Sequence, residues 1–522
     1  MQQLESLPLP AQDAGPLTPS PALGAVGLAI GLVGLFALTL FAIGDLKLVS
    51  DDFYLLVNDL QLPLWKSHDE LHRPLRNALF KLLGRQVGVQ QVLPYRILVA
   101  ASYAAALGLL FQLMRRLGAR PAGAAAAVGV LAFFPRNHEV LFWFAAWQDI
   151  AAGIGVLLTC LLFLEFRRSG STRKLAFAAL TYGVALGLKE TAIVIPALVL
   201  LVDLHAERSI APVKTLAFWR GYLPLAFVSL AFVGYFLSNA GMVQLTGHKA
   251  AGYYGYGGVL PAAASEVRAL LNVALPFSTT VGFKTIRPLQ VAALLVESGL
   301  VLFFVSRLRM WSGFLVAAGW VLCALFPTAA FATILNADRY LFVPAMGAAL
   351  LVGLLVDASM RARPGIRTGS GLAVALVIYG VAGVAHLAEL RSFWKRQGDE
   401  AAFVLGEAVR LAPTLEPSSE VAFVNLTAGL ANGLDGALRS RGFPASVRLL
   451  REVVCAGCPE QERLLAQLRA CDASPSVGAV GPRVVLLELG TRLVRLEPGC
   501  AFRAIDRDRR QRPYAWQAIP GE

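Results

Sequence analysis

What most constrains this chain is a succession of long apolar runs, each about as long as a helix needs to cross a hydrocarbon layer. About eleven are read, near 21–43, 97–114, 121–134, 149–166, 175–188, 190–204, 221–239, 289–306, 311–327, 340–358 and 369–388. The runs are unbroken rather than alternating, so they predict helices and not the strands of a membrane barrel. Composition agrees: 56% of residues are hydrophobic and 16% charged, where soluble chains average about 25% charged. The fold class expected is an α-helical multi-pass membrane protein. A weaker segment, Ala262–Leu275, carries Glu266 and Arg268 and predicts a helix lying at the interface.

The formal charge is +13, and much of it sits in short loops between apolar runs. In a soluble protein that balance would suggest nucleic acid; here it reads as a topology signal. The short basic loops hold Arg115, Arg116 and Arg120; Arg167, Arg168, Arg173 and Lys174; Arg208, Lys214 and Arg220; Arg307 and Arg309; and Arg361, Arg363 and Arg367. The positive-inside rule assigns them to the cytoplasm. The alternate loops, 44–96, 135–148, 240–288 and 328–339, are longer and mixed in charge and are expected to face outward. The N-terminal tail, with Glu5 and Asp13 but no basic residue, argues the reverse for the first span alone, against five later loops that agree.

The organisation expected is a disordered cytoplasmic tail over 1–20, a membrane domain over 21–389, a small extracytoplasmic α+β domain over 390–502 and a basic flexible tail over 503–522. The run 22–43 is long enough to span, and no Lys or Arg precedes it, so no cleavable signal peptide is read. Within 390–502, Asp399–Leu411 and Arg448–Leu468 read as helices, and Val421–Leu426 and Arg483–Glu488 as strands. Cys160 and Cys323 lie inside apolar runs and read as packing residues. Cys455, Cys458, Cys471 and Cys500 would form one or two disulfides if their segment meets an oxidising compartment. The arginines around Arg507–Arg512 read as a solvated or headgroup-touching end.

The distinctive polar residues fall in the outward set of loops. Asp51 and Asp52 follow the first apolar run; a partly desolvated carboxylate there can take a proton from a hydroxyl, and an acidic helix cap is the plainer alternative. Arg73 and Arg76, in His72-Arg73-Pro74-Leu75-Arg76, offer guanidinium forks suited to phosphate, or simple interfacial anchoring. The second outer loop carries Arg136, His138, Glu139, Trp143, Trp147, Gln148 and Asp149. Its Trp residues fit an interfacial belt, whereas Glu139 lies in an otherwise apolar stretch. Lys189-Glu190 sits between two apolar runs, where an ion pair is costly unless at the surface or in a polar cavity. Asp338-Arg339-Tyr340 could place a guanidinium on a phosphate at the end of a span. His248, Lys249, Lys284 and Arg287 are weaker candidates for that role, and 251–258 reads as a mobile loop.

Taken together, these motifs resemble the GT-C superfamily of multi-pass glycosyltransferases, with a look of the protein O-mannosyltransferase-like and aminoarabinose transferase-like members. Asp51-Asp52 matches their first-loop acidic motif, His72–Leu75 an Arg-Pro-Leu motif, and Phe134–Glu139 with Trp143 and Asp149 their second-loop pattern. Gly187-Leu188-Lys189-Glu190-Thr191 with Pro196 is similar to their Lys-Glu motif, and Arg339-Tyr340-Leu341 with Pro344 to a late Arg-Tyr motif. The resemblance covers about 20–390 and implies transfer of a sugar from a polyprenyl-phosphate carrier to a protein, lipid or glycan acceptor at the outer face of the inner membrane. It implies that Asp51 or Asp52, with Glu139, serves the acceptor. It implies that Arg73, Arg76, Asp149, Lys189, Glu190, Arg339 and Tyr340 bind the donor and its phosphate. A divalent ion on Asp51, Asp52, Glu139 and Glu190 stays open, because no spacing demands one. The rival classes are a transporter or lipid-linked-sugar flippase, which predicts polar residues on both faces, and an inactive scaffold.

Overall fold

The computed structural model describes residues 46–411 except 50, 58–59, 61, 67–72, 208–210, 239–258, 278–287, 330–336 and 363–365. Beyond 411 it describes 420–424, 437–438, 446–453, 484–489, 492–496, 501–506 and 511–515. The run 21–43, His72, His248, Lys249, 251–258, Lys284, Arg287, the four C-terminal cysteines and the arginines Arg507–Arg510 therefore lie outside the described residues.

Helices coincide with the other ten apolar runs. Among the described residues, four are long and apolar enough to cross a membrane: Val92–Arg116, Phe144–Ser169, Asp338–Ala362 and Ser370–Arg410. Pro121–Ala132, Leu223–Phe236 and Trp311–Pro327 are shorter apolar helices. This is a membrane protein built from helices that bury one another.

Local chemistry sets the helix ends. Pro121 and Pro74 occupy first turns, where the missing N–H costs nothing. Gly170 ends the Trp147–Ser169 helix in the left-handed conformation, φ 63°, which a residue with a Cβ adopts at a cost. Small residues set how closely helices approach. Pro121–Ala132 crosses Phe342–Ala362 at Gly123 and Gly353, where a Cβ on Gly123 would lie 2.7 Å from the Gly353 carbonyl oxygen. Small-residue crossings of this kind are how helices gain contact where lipid supplies no hydrophobic driving force.

Side-chain contacts define two ends of the bundle. At one, the basic loops converge: Arg361 donates to the Gly118 carbonyl at 2.7 Å, and Arg168 to the Arg116 carbonyl at 2.9 Å. At the other, the loops that carry the candidate motifs converge.

The segment Ile366–Leu411 is one continuous helix, so the fall in hydropathy at 390 lies inside it. Among the described residues beyond it are six strands: Glu420–Val424 (β1), Ser446–Val453 (β2), Val484–Leu489 (β3), Arg492–Leu496 (β4), Ala501–Asp506 (β5) and Gln511–Ala515 (β6). They pair in the order β4-β3-β1-β2-β5-β6. β1 runs parallel to β2 and β3, with Val421 opposite Val447 and Val484, and the remaining pairs are antiparallel. The helix expected at Arg448–Leu468 is corrected: its first residues belong to β2. The stretch Ser446–Val453 reads Ser-Val-Arg-Leu-Leu-Arg-Glu-Val, and pairing on both sides overrides its helical spacing.

Candidate functional site

The 135–148 loop is the hub of the motif-bearing end. It folds as short helical turns, Pro135–Asn137, His138–Phe142 and Phe144–Ala146, and then enters the long Trp147–Ser169 helix. The first two turns meet the Asp338–Leu341 turn, and the third meets the Asp51–Leu56 helix.

The acidic pair opens the short helix Asp51–Leu56, a favourable place for negative charge. Its two members are not equivalent. Asp52 is fully buried, and both carboxylate oxygens are engaged: Oδ2 accepts the Val49 N–H at 2.8 Å and Oδ1 the Ala145 N–H at 2.6 Å. Burial pushes its pKa up to about 7, against the opposing pull of the Val49 N–H, Arg96 and the Ala145 N–H. Arg96, itself buried, donates to the carbonyls of Phe142 at 2.7 Å and Lys47 at 2.8 Å. Asp52 and Arg96 thus tie the first loop to the second. Asp51 is only partly buried.

This arrangement sets a sign for stability against pH. A carboxyl whose folded pKa lies above its unfolded value stabilises the fold most below about pH 4. That contribution fades as pH climbs to about 7 and is level above it. Three units correspond to an upper figure of ~4 kcal/mol. Melting curves at pH 5 and 8 should show a fall in the wild type that Asp52→Asn largely removes; equal falls in both would contradict the assignment.

Arg73, which precedes the Pro74–Gln86 helix, grips Glu190 with two N–H groups, Nη2 to Oε1 at 2.6 Å and Nε to Oε2, and donates to Gln148 Oε1 at 2.9 Å. This fork-to-fork pairing is the strong, directional kind. Arg76 is 2% exposed, and its guanidinium meets the amide oxygen of its neighbour Asn77 at 2.6 Å.

Lys189 ends the Thr172–Leu188 helix in an extended conformation and turns its side chain inward. Its fully buried ammonium meets Asp149 at 2.9 Å and lies 4.7 Å from the Tyr340 ring centroid. Lys189 is therefore buried in an ion pair rather than placed at the surface. Arg339 lies between two rings, 4.6 Å from the Trp143 centroid and 5.0 Å from that of Tyr340. Its main-chain N–H donates to Glu139 Oε2 at 3.1 Å, but its guanidinium stands off that oxygen at 3.9 Å. Burial raises the Glu139 pKa, with Arg339 opposing. A narrow cleft lined by Asp149, Thr191, Arg339 and Tyr340 opens beside this cation.

Arg136, His138 and Asp338, read from the sequence separately, meet in one cluster with Trp394, which was not among the sequence candidates. His138 Nε2 meets Asp338 at 2.9 Å, Arg136 meets the same carboxylate at 3.2 Å, and Trp394 Nε1 donates to His138 Nδ1 at 3.0 Å. Indole N–H is only a donor, so Nδ1 is the acceptor and Nε2 carries the proton given to Asp338. Trp394 also stacks on Trp143, with centroids 5.7 Å apart at 25°. It lies on the Ile366–Leu411 helix beyond the hydropathy drop, outside every motif of the chain's membrane part. The second-loop Trp residues, expected as an interfacial belt, make contacts within the protein. Trp147 is 7% exposed and bonds Ser102 at 2.8 Å, and the buried Trp143 Nε1 has no hydrogen-bond partner among the described residues.

Trp394→Phe keeps the ring stack and removes the donor. The expected outcome is a loss of about 1 kcal/mol in stability, the worth of one hydrogen bond. An unchanged chemical-denaturation midpoint would show that the indole N–H contributes nothing.

The structure therefore joins Arg73, Glu139, Asp149, Lys189, Glu190, Arg339 and Tyr340 through direct contacts, and brings Asp52 to the same loop at Ala145. Of the carboxylates left open for a divalent ion, Asp52, Glu139 and Glu190 have other partners. Asp149 faces Lys189, Glu190 faces Arg73 and Asp52 accepts two amides. Among the described residues no three His, Cys, Asp or Glu side chains form a metal-binding group.

No family model and no curated protein matches this chain. Solved structures do. The crystal structure of ArnT from Cupriavidus metallidurans bound to undecaprenyl phosphate aligns with 91% of this chain and 98% of its own, at TM-score 0.51 and 13% identity. The arabinofuranosyltransferase AftD from Mycobacteria, as the R1389S mutant, aligns with 91% of this chain and 37% of its own, at TM-score 0.52 and 15% identity. The chain shares the fold of these two structures.

Proposed function

We propose that the chain transfers a sugar from a polyprenyl-phosphate carrier to an acceptor at the motif-bearing end of the bundle, the extracytoplasmic side of the inner membrane. The observation that carries this reading is the state of Arg339. Arg73 and Lys189 are each closed on a carboxylate at 2.6 and 2.9 Å. Arg339 lies against the Trp143 and Tyr340 rings, its Nη2 reaches the Tyr340 hydroxyl only at 3.5 Å, and its own carboxylate stands at 3.9 Å. A guanidinium with only one long hydrogen bond and a distant carboxylate has N–H groups to offer a phosphate. The unpartnered Trp143 N–H stands beside it as a further donor.

In the proposed step the acceptor oxygen or nitrogen forms a bond to the anomeric carbon as the bond from that carbon to the phosphate oxygen breaks. The departing phosphate keeps the electron pair, and Arg339 stabilises the charge that develops on it. Asp51 receives the acceptor proton, while Asp52 fixes the loop. A single displacement inverts the anomeric centre. Lys189–Asp149 and Arg73–Glu190 position the walls of the cleft. ArnT, which holds undecaprenyl phosphate in its crystal structure, supports a lipid-phosphate donor here.

The remaining architecture belongs to the same proposal. About eleven helices cross the membrane, and the sheet after Leu411 forms a small α+β domain on the extracytoplasmic side. We assign the acceptor only by class, as a hydroxyl or amine of a protein, lipid or glycan.

Binding of a polyprenyl phosphate to the detergent-purified full chain tests the reading. Arg339→Ala should weaken it at least tenfold, and Arg339→Lys should recover only part, because an ammonium lacks the flat faces and the fork. Equal affinity in wild type and Arg339→Ala would remove Arg339 from the phosphate site.

A further inference from the structure

A second cavity lies at the opposite end of the bundle, some 27 Å away along the Trp147–Ser169 helix at 1.5 Å per residue. Its volume is about 1000 Å³, and its lining includes Arg116, Arg167, Arg168, Asp203, Arg309 and Arg361. Three of these arginines are committed to carboxylates: Arg167 to Asp203 at 2.8 Å, Arg361 to Asp357 at 2.6 Å, and Arg116 to Glu165. Arg168 spends one N–H on the Arg116 carbonyl. The exposed side chain of Arg309 has no partner among the described residues.

Arg309 is also the one non-glycine residue with positive φ among the described residues, at 52°. It follows the Pro288–Arg307 helix in the position that closes it: Arg309 N–H bonds the Ser306 carbonyl at 3.2 Å and Met310 N–H the Val305 carbonyl at 3.0 Å. Glycine is the usual residue there, since a Cβ is penalised in the left-handed region. The helix closure needs the backbone conformation and not the guanidinium. The side chain is retained at a conformational cost, at the mouth of a cavity. A second unsatisfied group lies inside: fully buried Asp203 uses Oδ2 for Arg167 and Tyr222, and its Oδ1 has no hydrogen-bond partner among the described residues.

From this geometry we infer a second ligand site, separate from the transfer site, for a phosphate-bearing molecule that also carries a hydrogen-bond donor, an ammonium or hydroxyl. Arg309 and Arg168 hold the phosphate at the mouth, and Asp203 Oδ1 accepts from the donor within. A phospholipid headgroup and a free phosphate ester share this chemistry.

The variant that isolates the site is Arg309→Gly. It removes the guanidinium and supplies the residue the left-handed turn prefers, so its melting temperature should be equal to or above that of the wild type. Titrate the purified full chain with two probes, dihexanoyl phosphatidylethanolamine below its micellar concentration and phosphoethanolamine. The expected result is saturable binding of at least one probe, weakened tenfold or more by Arg309→Gly and by Asp203→Asn. Binding of the first probe alone identifies a lipid headgroup, and equal binding of both identifies the phosphate ester. No saturable binding of either probe, or equal binding by wild type and Arg309→Gly, overturns the inference. Retention of polyprenyl-phosphate binding by Arg309→Gly would show the two sites to be independent.

Discussion

Asp51→Asn is expected to lower sugar transfer by about 10²–10⁴-fold, the span general-base removal usually covers, while leaving the melting temperature nearly unchanged. Asp52→Asn is expected to do the reverse in kind: to perturb the fold and its pH dependence first, and transfer only through misplacement of the loop. The difference follows from environment. Asp52 is sealed under two amide donors, so a substrate would have to displace the Val49 or Ala145 N–H to reach it. Asp51 heads the same helix and stays partly exposed. Turnover and melting measured on both variants check the split. If Asp52→Asn alone abolished transfer at unchanged stability, the two roles would have to be exchanged.

The second large effect is expected at Lys189. Its ammonium is fully buried against Asp149, which is itself 6% exposed at the side chain. Removing one partner of such a pair leaves the other charge buried and uncompensated, which typically costs about 3–5 kcal/mol. Lys189→Met should therefore destabilise strongly. The double variant Lys189→Met with Asp149→Leu should recover much of the loss, because two apolar groups leave no stranded charge. Neither variant should transfer sugar well, since the Tyr340 ring and the cleft wall lose their support. A double-mutant cycle on unfolding midpoints measures this coupling; strictly additive losses would show that the pair does not act as a unit.

Much of this was legible in the chain because membrane solvent makes simple demands. Apolar runs of spanning length have few options other than helix, and ten of those read coincide with helices. The candidate site was legible for a related reason: charged groups between apolar runs are costly, so Lys189, Glu190 and Arg339 drew attention by location alone. What the sequence did not show was pairing. Nothing in the spacing of Arg73 and Glu190, 117 residues apart, or of Arg136 and Asp338 announces that they meet. The distinction between Asp51 and Asp52 needed the position of the Ala145 N–H, a tertiary fact. Trp394 was missed because the hydropathy drop at 390 suggested a new domain, whereas the helix continues unbroken. At Ser446–Val453 neighbouring strands decided a segment whose local pattern favoured helix.

The central claim is that a lipid-phosphate sugar is cleaved at the Asp51 and Arg339 end of the bundle. The direct measurement is release of polyprenyl phosphate from a panel of radiolabelled polyprenyl-phosphate pentoses and hexoses, using the purified full chain in lipid with cell-envelope extract as acceptor. The account predicts release with at least one donor, label transferred to the acceptor fraction, and loss of both with Arg339→Ala and Asp51→Asn at unchanged folding. Release that persists undiminished in both variants, or label carried across a sealed vesicle membrane with the donor intact, would contradict it.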